Sequence, residues 1–245
     1  MTINQIKDSR LITVVIGTLL VVGVYFLFNL NSKNTSQKNQ FPQGVLALNT
    51  DKEEYLQGET VNIQMAAIDQ EGNVLCNANL ELDIDGKKTK DIKKSSACEK
   101  DGVTYESDYS YKFVPQKTGT YDVKLTNLDT KLVTKNTFKV VSQRDLDITR
   151  KTLTRINPSK EERYAVLLIV TASKDYLGEI SDIVPSGFTI PWWGPAKVED
   201  KKISWQVDLK AGETKEFAYE YIAPKVSPEF YKLGENGEWQ IVAAK

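Results

Sequence analysis

Cys76 and Cys98 are the only thiols in a chain of 245 residues, and histidine is absent altogether. Without an imidazole there can be no Ser–His–Asp or Cys–His nucleophilic site and no histidine-ligated metal site. Catalysis would have to rest on carboxylate pairs or a Ser–Lys dyad. The sequence carries no motif for either, so the chain is read as a non-enzyme that takes no cofactor. An even cysteine count in an exported chain predicts a disulfide. Joining Cys76 to Cys98 closes a loop of about 23 residues, worth roughly 3 kcal/mol. It would pin the polar stretch KKSSACEKDG back to the start of a strand. Two unpaired thiols, one buried and one exposed, are the alternative. Redox chemistry is not expected, because there is no C-x-x-C spacing and no histidine to depress a thiol pKa.

Carboxylates gather at Asp51, Glu53 and Glu54, at Asp69 and Glu71, at Asp83 and Asp85, and at Asp145 and Asp147. Calcium takes about six to eight oxygens, and Asp69, Glu71, Asp83 and Asp85 are weak candidates to supply them. None of these groups matches the D-x-[DN]-x-[DN]-G loop, and Lys52, Lys87 and Lys88 sit within or beside them. Hairpin and edge positions are the expected reading, with no metal. An isopeptide cross-link between a lysine and an asparagine is a further possibility for a surface sandwich, but both residues are too plentiful here for the sequence to select a trio.

The segment GFTIPWWGP carries Trp192 and Trp193 between Pro191 and Pro195. Adjacent residues of an extended strand face opposite ways, so the two rings cannot both enter one core. The prolines exclude the segment from a central ladder. The expectation is that both rings pack within the protein, one closing a sandwich while the other is partly exposed or covers the first sandwich at an interdomain seam. A binding surface for a protein or glycan formed by Trp192 and Trp193 is the functional alternative. Trp205 alternates with apolar neighbours and is expected in a core, and Trp239 is expected to anchor the last strand.

The elements that would position these groups begin with LITVVIGTLLVVGVYFLFNL at 11–30, which has no charged residue. As a helix it would span about 30 Å, the thickness of a bilayer's hydrocarbon core. Its length and the lack of a small-x-small site after it argue for a signal anchor rather than a cleaved peptide. The expected layout is a short cytoplasmic tail at 1–10, a transmembrane anchor at 11–30 and a flexible linker at 31–43. The bulk of the chain follows on the extracytoplasmic side. Lipid is therefore the first expected partner. Lysine and arginine number 32 against 33 aspartates and glutamates, a net charge of −1, which leaves no basic excess for nucleic acid.

Two stretches of sandwich size follow, 44–142 and 145–245. In the first, Val61, Ile63 and Met65 alternate with polar residues, as do Leu80, Leu82 and Ile84, then Tyr109, Tyr111 and Phe113, then Tyr121, Val123 and Leu125. Period-two patterning places one face of each strand in a core. Gln57-Gly58, Glu71 to Asn73 and Asp85-Gly86 punctuate the strands as turns. In the second, Ala165 to Val170 is a nearly continuous apolar run, as expected of a central strand. Ile203, Trp205, Val207 and Leu209 alternate before a hairpin into Phe217, Tyr219 and Tyr221.

The run TDKEEYLQGETVNIQMAAIDQEGNVLCNANLELDI resembles the opening of bacterial immunoglobulin-like and macroglobulin-type domains, and Thr118 to Val123 is similar to the G-x-Y-x-V strand that closes them. The second stretch resembles fibronectin-like repeats of bacterial envelope proteins, in which D-L-x-x-G-E-T-x-x-F-x-Y follows VP-x-G-F. The resemblance implies an all-β fold of two tandem immunoglobulin-like sandwiches in a membrane-anchored surface protein, with no activity to carry over. The functional expectation is a structural or adhesion module at the cell surface. The alternative is an accessory subunit of a membrane-bound secretion, transport or pilus-like assembly. Gly17 and Gly23 lack the small-xxx-small spacing of a tight helix pair, so the sequence gives that alternative little support.

Overall fold

The computed structural model describes residues 44–70, 73–100, 103–156, 162–184, 187–223, 230–231 and 241–243. The expected tail, anchor and linker at 1–43 lie outside them, as does Trp239. No helix among the described residues is long and apolar enough to cross a membrane. Every regular element described is a strand, so the expected all-β architecture is present.

The first nine strands are β1 (Val45–Thr50), β2 (Glu54–Leu56), β3 (Val61–Ile68), β4 (Leu80–Ile84), β5 (Lys87–Thr89), β6 (Lys93–Lys94), β7 (Tyr109–Phe113), β8 (Gly119–Asn127) and β9 (Val133–Val141). They form two sheets, ordered β1-β3-β7-β6 and β2-β9-β8-β4-β5. The alternation read from the sequence is what pairs them face to face. Leu48, Ile63, Met65 and Tyr109 from one sheet share a core with Leu82, Ile84, Val123, Leu125, Phe138 and Val140 from the other. Asp85 and Gly86, with φ of 48° and 80°, make the two-residue turn between β4 and β5. Positive φ at both central positions gives a hairpin turn whose twist matches the strands, and aspartate followed by glycine tolerates it.

The chain changes sheets between β1 and β2, and a tyrosine fixes where it does so. The buried Tyr55 hydroxyl donates to Asp51 Oδ1 at 2.5 Å and accepts from the Lys52 amide at 2.9 Å. Asp51 also accepts from the backbone and side-chain nitrogens of Asn62 on β3, at 3.2 and 2.7 Å. The crossing therefore carries its own hydrogen bonds where ladder bonds stop. Past it, β2 runs parallel to β9, with Glu54, Tyr55 and Leu56 opposite Lys139, Val140 and Val141.

The remaining strands are β10 (Leu146–Lys151), β11 (Arg155–Ile156), β12 (Tyr164–Ala172), β13 (Tyr176–Ile183), β14 (Thr189–Trp192), β15 (Lys197–Glu199), β16 (Lys202–Leu209), β17 (Thr214–Ile222), β18 (Phe230–Tyr231) and β19 (Ile241–Ala243). Sheets β10-β12-β17-β14 and β13-β16-β15 face each other, and a small sheet runs β11-β19-β18. The apolar run expected to be a central strand is β12, flanked on both sides. Val166, Leu168 and Val170 of β12, Tyr219 and Tyr221 of β17, and Ile203, Trp205, Val207 and Leu209 of β16 fill a second core.

Candidate functional site

The disulfide joins Cys76 to Cys98 with a Cα separation of 5.6 Å. As expected, it ties the loop after β6 to the segment leading into β4. That segment is fixed from its other side by Tyr109, whose hydroxyl donates to the Leu75 carbonyl and accepts from the Ala78 amide at 3.0 Å. Beside the bridge, Lys94 Nζ lies 3.5 Å from Asn77 Oδ1 and 2.8 Å from Glu99. This is the lysine, asparagine and acid grouping that an isopeptide bond needs, but the three are exposed. Hydrogen bonding to Glu99 raises the Lys94 pKa above its ordinary value, so the amine keeps its proton and lacks the lone pair for attack.

The calcium candidates are not gathered into one site. Asp69 accepts from the backbone and side-chain nitrogens of Asn73, at 2.7 and 2.9 Å, in the turn after β3. Glu71 lies outside the described residues. Asp83 pairs with Lys124 at 3.6 Å, and Asp85 accepts from the Asp122 amide at 2.9 Å. Asp83 and Asp85 line an open groove of about 890 Å³ with Glu53, Glu54 and Asp122, but Lys124, Lys135 and Lys139 stand among them. No group of three or more potential metal ligands occurs among the described residues.

The tryptophan pair departs from expectation. Trp192 and Trp193 are 47% and 41% exposed, so neither ring closes the core. That work falls to Trp205, 3% exposed, together with Phe188, Tyr219 and Tyr221. The physical reason lies in β14, an edge strand whose register with β17 slips between Thr189 and Trp192, around Pro191. A proline cannot donate to a ladder, and the irregularity turns the following residues away from the sandwich. The Trp192 ring lies over Gly194, where an added Cβ would sit 3.5 Å from its six-membered ring. Glu220 is opposite Trp192 on β17 and pairs with Arg163 at 3.6 Å. The result is an aromatic edge with a carboxylate and a guanidinium beside it.

Sequence reasoning passed over the buried charges. In the second core Arg150 grips Asp182 with two bonds, Nε to Oδ2 at 3.0 Å and Nη2 to Oδ1 at 2.7 Å. The Tyr219 hydroxyl donates to Asp182 Oδ2 at 3.0 Å, and the Ile183 amide donates to Oδ1 at 2.9 Å. Burial works against the Arg150 charge, but the adjacent Asp182 carboxylate more than offsets it and the pKa rises. Burial, then Asp182, pushes the Tyr219 pKa well up, so the phenol stays a donor. The cluster is a satisfied structural tie between β10, β13 and β17 rather than a reactive acid.

A second group of charges joins the two sandwiches. Lys52 contacts Glu59 at 2.6 Å and Asp147 at 2.9 Å, while Arg144 contacts Glu59 at 2.8 Å and Asp147 at 2.6 Å. Each cation thus bridges both carboxylates. Burial opposes the Glu59 charge, but bonds from Lys52, the Leu56 amide and Arg144 outweigh it and the carboxyl pKa falls below its ordinary value. A smaller cavity of about 250 Å³ lies nearby, with Lys52 and Glu53 at one side and Leu146, Arg150 and Ile180 at the other.

No protein-family model and no curated protein sequence matches the chain. Solved structures do align with it at low similarity. A protein of Corynebacterium diphtheriae named as membrane anchored is 11% identical over 82% of this chain and 59% of its own, with a TM-score of 0.30. Trypsin-activated alpha-2-macroglobulin from Escherichia coli is 14% identical over 79% of this chain, TM-score 0.31. The Escherichia coli adhesin FdeC is 11% identical over 82%, TM-score 0.29. The chain spans only 14% of the macroglobulin and 64% of the adhesin.

Proposed function

We propose that this chain is a single-pass, membrane-anchored protein that displays two β-sandwiches outside the cytoplasm. In this reading it acts without catalysis, as an adhesion or interaction module whose contact surface is the Trp192–Trp193 edge. The observation that carries the proposal is the pair of half-exposed indoles on an irregular edge strand. Keeping two of the largest apolar side chains partly in water forgoes burial that the core next to them could provide. Tryptophan is also enriched where one protein surface meets another molecule. The Cys76–Cys98 bridge supports the location, since such bonds persist in oxidising compartments. The uncharged stretch 11–30 supports the anchor.

The test uses cells expressing the full chain. A membrane-impermeant amine-reactive biotin ester should label it on intact cells, and its binding to an immobilised glycan array should be recorded. The Trp192→Ala/Trp193→Ala variant should be labelled equally and lose array binding by about tenfold or more, the usual effect of removing a central aromatic contact. Labelling that needs permeabilised cells would end the display reading. Array binding untouched by the double substitution would end the assignment of the surface.

A further inference from the structure

The residues Thr154 and Arg155 of the second half enter the loop that follows β6 in the first. From this geometry we infer that the Cys76–Cys98 bridge does more than staple its own sandwich: it holds open a socket that clamps the second half. The Arg155 guanidinium is 3% exposed. Its Nη1 donates to the Lys100 carbonyl at 2.5 Å, and its Nη2 donates to the Ala97 carbonyl at 3.3 Å and to the buried Asp108 carboxylate. Two of the three acceptors are backbone carbonyls that flank Cys98, one residue before it and two after.

Neighbouring backbone bonds complete the joint. Thr104 and Arg155 exchange amide and carbonyl at 3.2 and 3.3 Å, the Thr154 amide donates to the Thr104 carbonyl at 2.8 Å, and the Thr154 hydroxyl reaches the Glu106 carbonyl at 2.8 Å. A buried cation is tolerated only while its acceptors stay in place, because loss of one leaves charge uncompensated away from water. The loop is tied at its start, where the Ser95 amide donates to the Asp108 carbonyl at 2.8 Å. The socket carbonyls lie beyond that point, where its backbone bonds are short-range turns, Cys98 to Ser95 and Lys100 to Ala97, each 3.2 Å. Past Ser95, the bridge from Cys98 to Cys76 ties this part of the loop to the segment that Tyr109 holds through Leu75 and Ala78. A continuous path therefore runs from Tyr109 through the disulfide to Arg155. The clamp does not depend on what the exposed tryptophans bind.

Because coupling between two sites is reciprocal, each end can be perturbed and read at the other. In full-length protein in detergent micelles, the Cys76→Ser/Cys98→Ser variant should exchange the amides of Thr104, Thr154 and Arg155 about tenfold faster or more. The amides of Val166, Val170 and Ile203, in the second core, should stay within about twofold of wild type, as expected of local opening. Arg155→Met keeps the bridge and supplies the converse reading even if the cysteine-free chain fails to fold. Dithiothreitol should reduce its Cys98, 3% exposed in the native chain, about tenfold faster than in wild type. Exchange at Thr104, Thr154 and Arg155 unchanged without the bridge, or faster by the same factor throughout the protein, would overturn the inference. So would an unchanged reduction rate in Arg155→Met.

Discussion

Replacing Asp182 with alanine should be among the most damaging single changes to the second sandwich, and replacing its partner as well should repair part of the loss. The Asp182 side chain is fully buried and that of Arg150 is 10% exposed. Asp182→Ala takes the bidentate carboxylate from a largely buried guanidinium and also removes the acceptor of the Tyr219 hydroxyl. Breaking a buried pair by removing one member costs about 3–5 kcal/mol, most of it for the charge left behind. At a urea m-value of about 2 kcal/mol/M, a loss of about 4 kcal/mol moves the midpoint down by about 2 M. Tyr219→Phe should cost less, about 1.5–3 kcal/mol, the worth of a hydrogen bond to a charged group. The double variant Arg150→Met/Asp182→Leu removes both charges at similar volume but still leaves the buried Tyr219 hydroxyl without its acceptor, so it should recover the cost of the stranded charge and settle about 1–3 kcal/mol below wild type. Fluorescence of Trp205, buried in the same core, gives the readout in a urea titration of all four proteins. If the double variant loses as much as two independent lesions would, the charges are not coupled and the assigned role of the cluster is wrong.

Two further expectations can be checked alongside. The Glu59 carboxyl titrates below its ordinary 4.5, so its stabilising contribution is complete above pH 4.5 and fades as pH falls through the lowered folded-state value. The urea midpoints of wild type and Glu59→Gln should accordingly converge in acid, and a gap that persists unchanged there would refute the assignment. Trp192→Ala and Trp193→Ala should each cost about 1 kcal/mol or less, while Trp205→Ala should cost about 3–5 kcal/mol, measured by urea titration with circular dichroism as the probe.

The strands were legible because their cause is local. Val61, Ile63 and Met65, or Ile203, Trp205 and Val207, declare a buried face within a few residues, and β3 and β16 occupy those positions. The cysteine pair was legible from count and context. The tryptophan edge was not, because whether an indole turns inward depends on where the register of β14 slips. Arg150 and Asp182 escaped because they meet across 32 positions, and Arg155 and Asp108 meet across 47. A signal was nevertheless available. Asp182 stands in phase with Ile180 and Val184, both buried. A charge at an inward position of an alternating strand asks for a buried partner of opposite sign, although the strand alone does not say which.

The parallel pairing of β2 with β9 has a mechanical consequence. One strand lies near the start of the first sandwich and the other at its end, and they point the same way. Tension drawing the chain apart from its two ends would slide these strands along each other and load their ladder bonds together. Peeling, by contrast, breaks such bonds one at a time. A pull that must rupture several bonds at once meets a higher barrier than one that unzips them, so this short ladder is a latch against stretching.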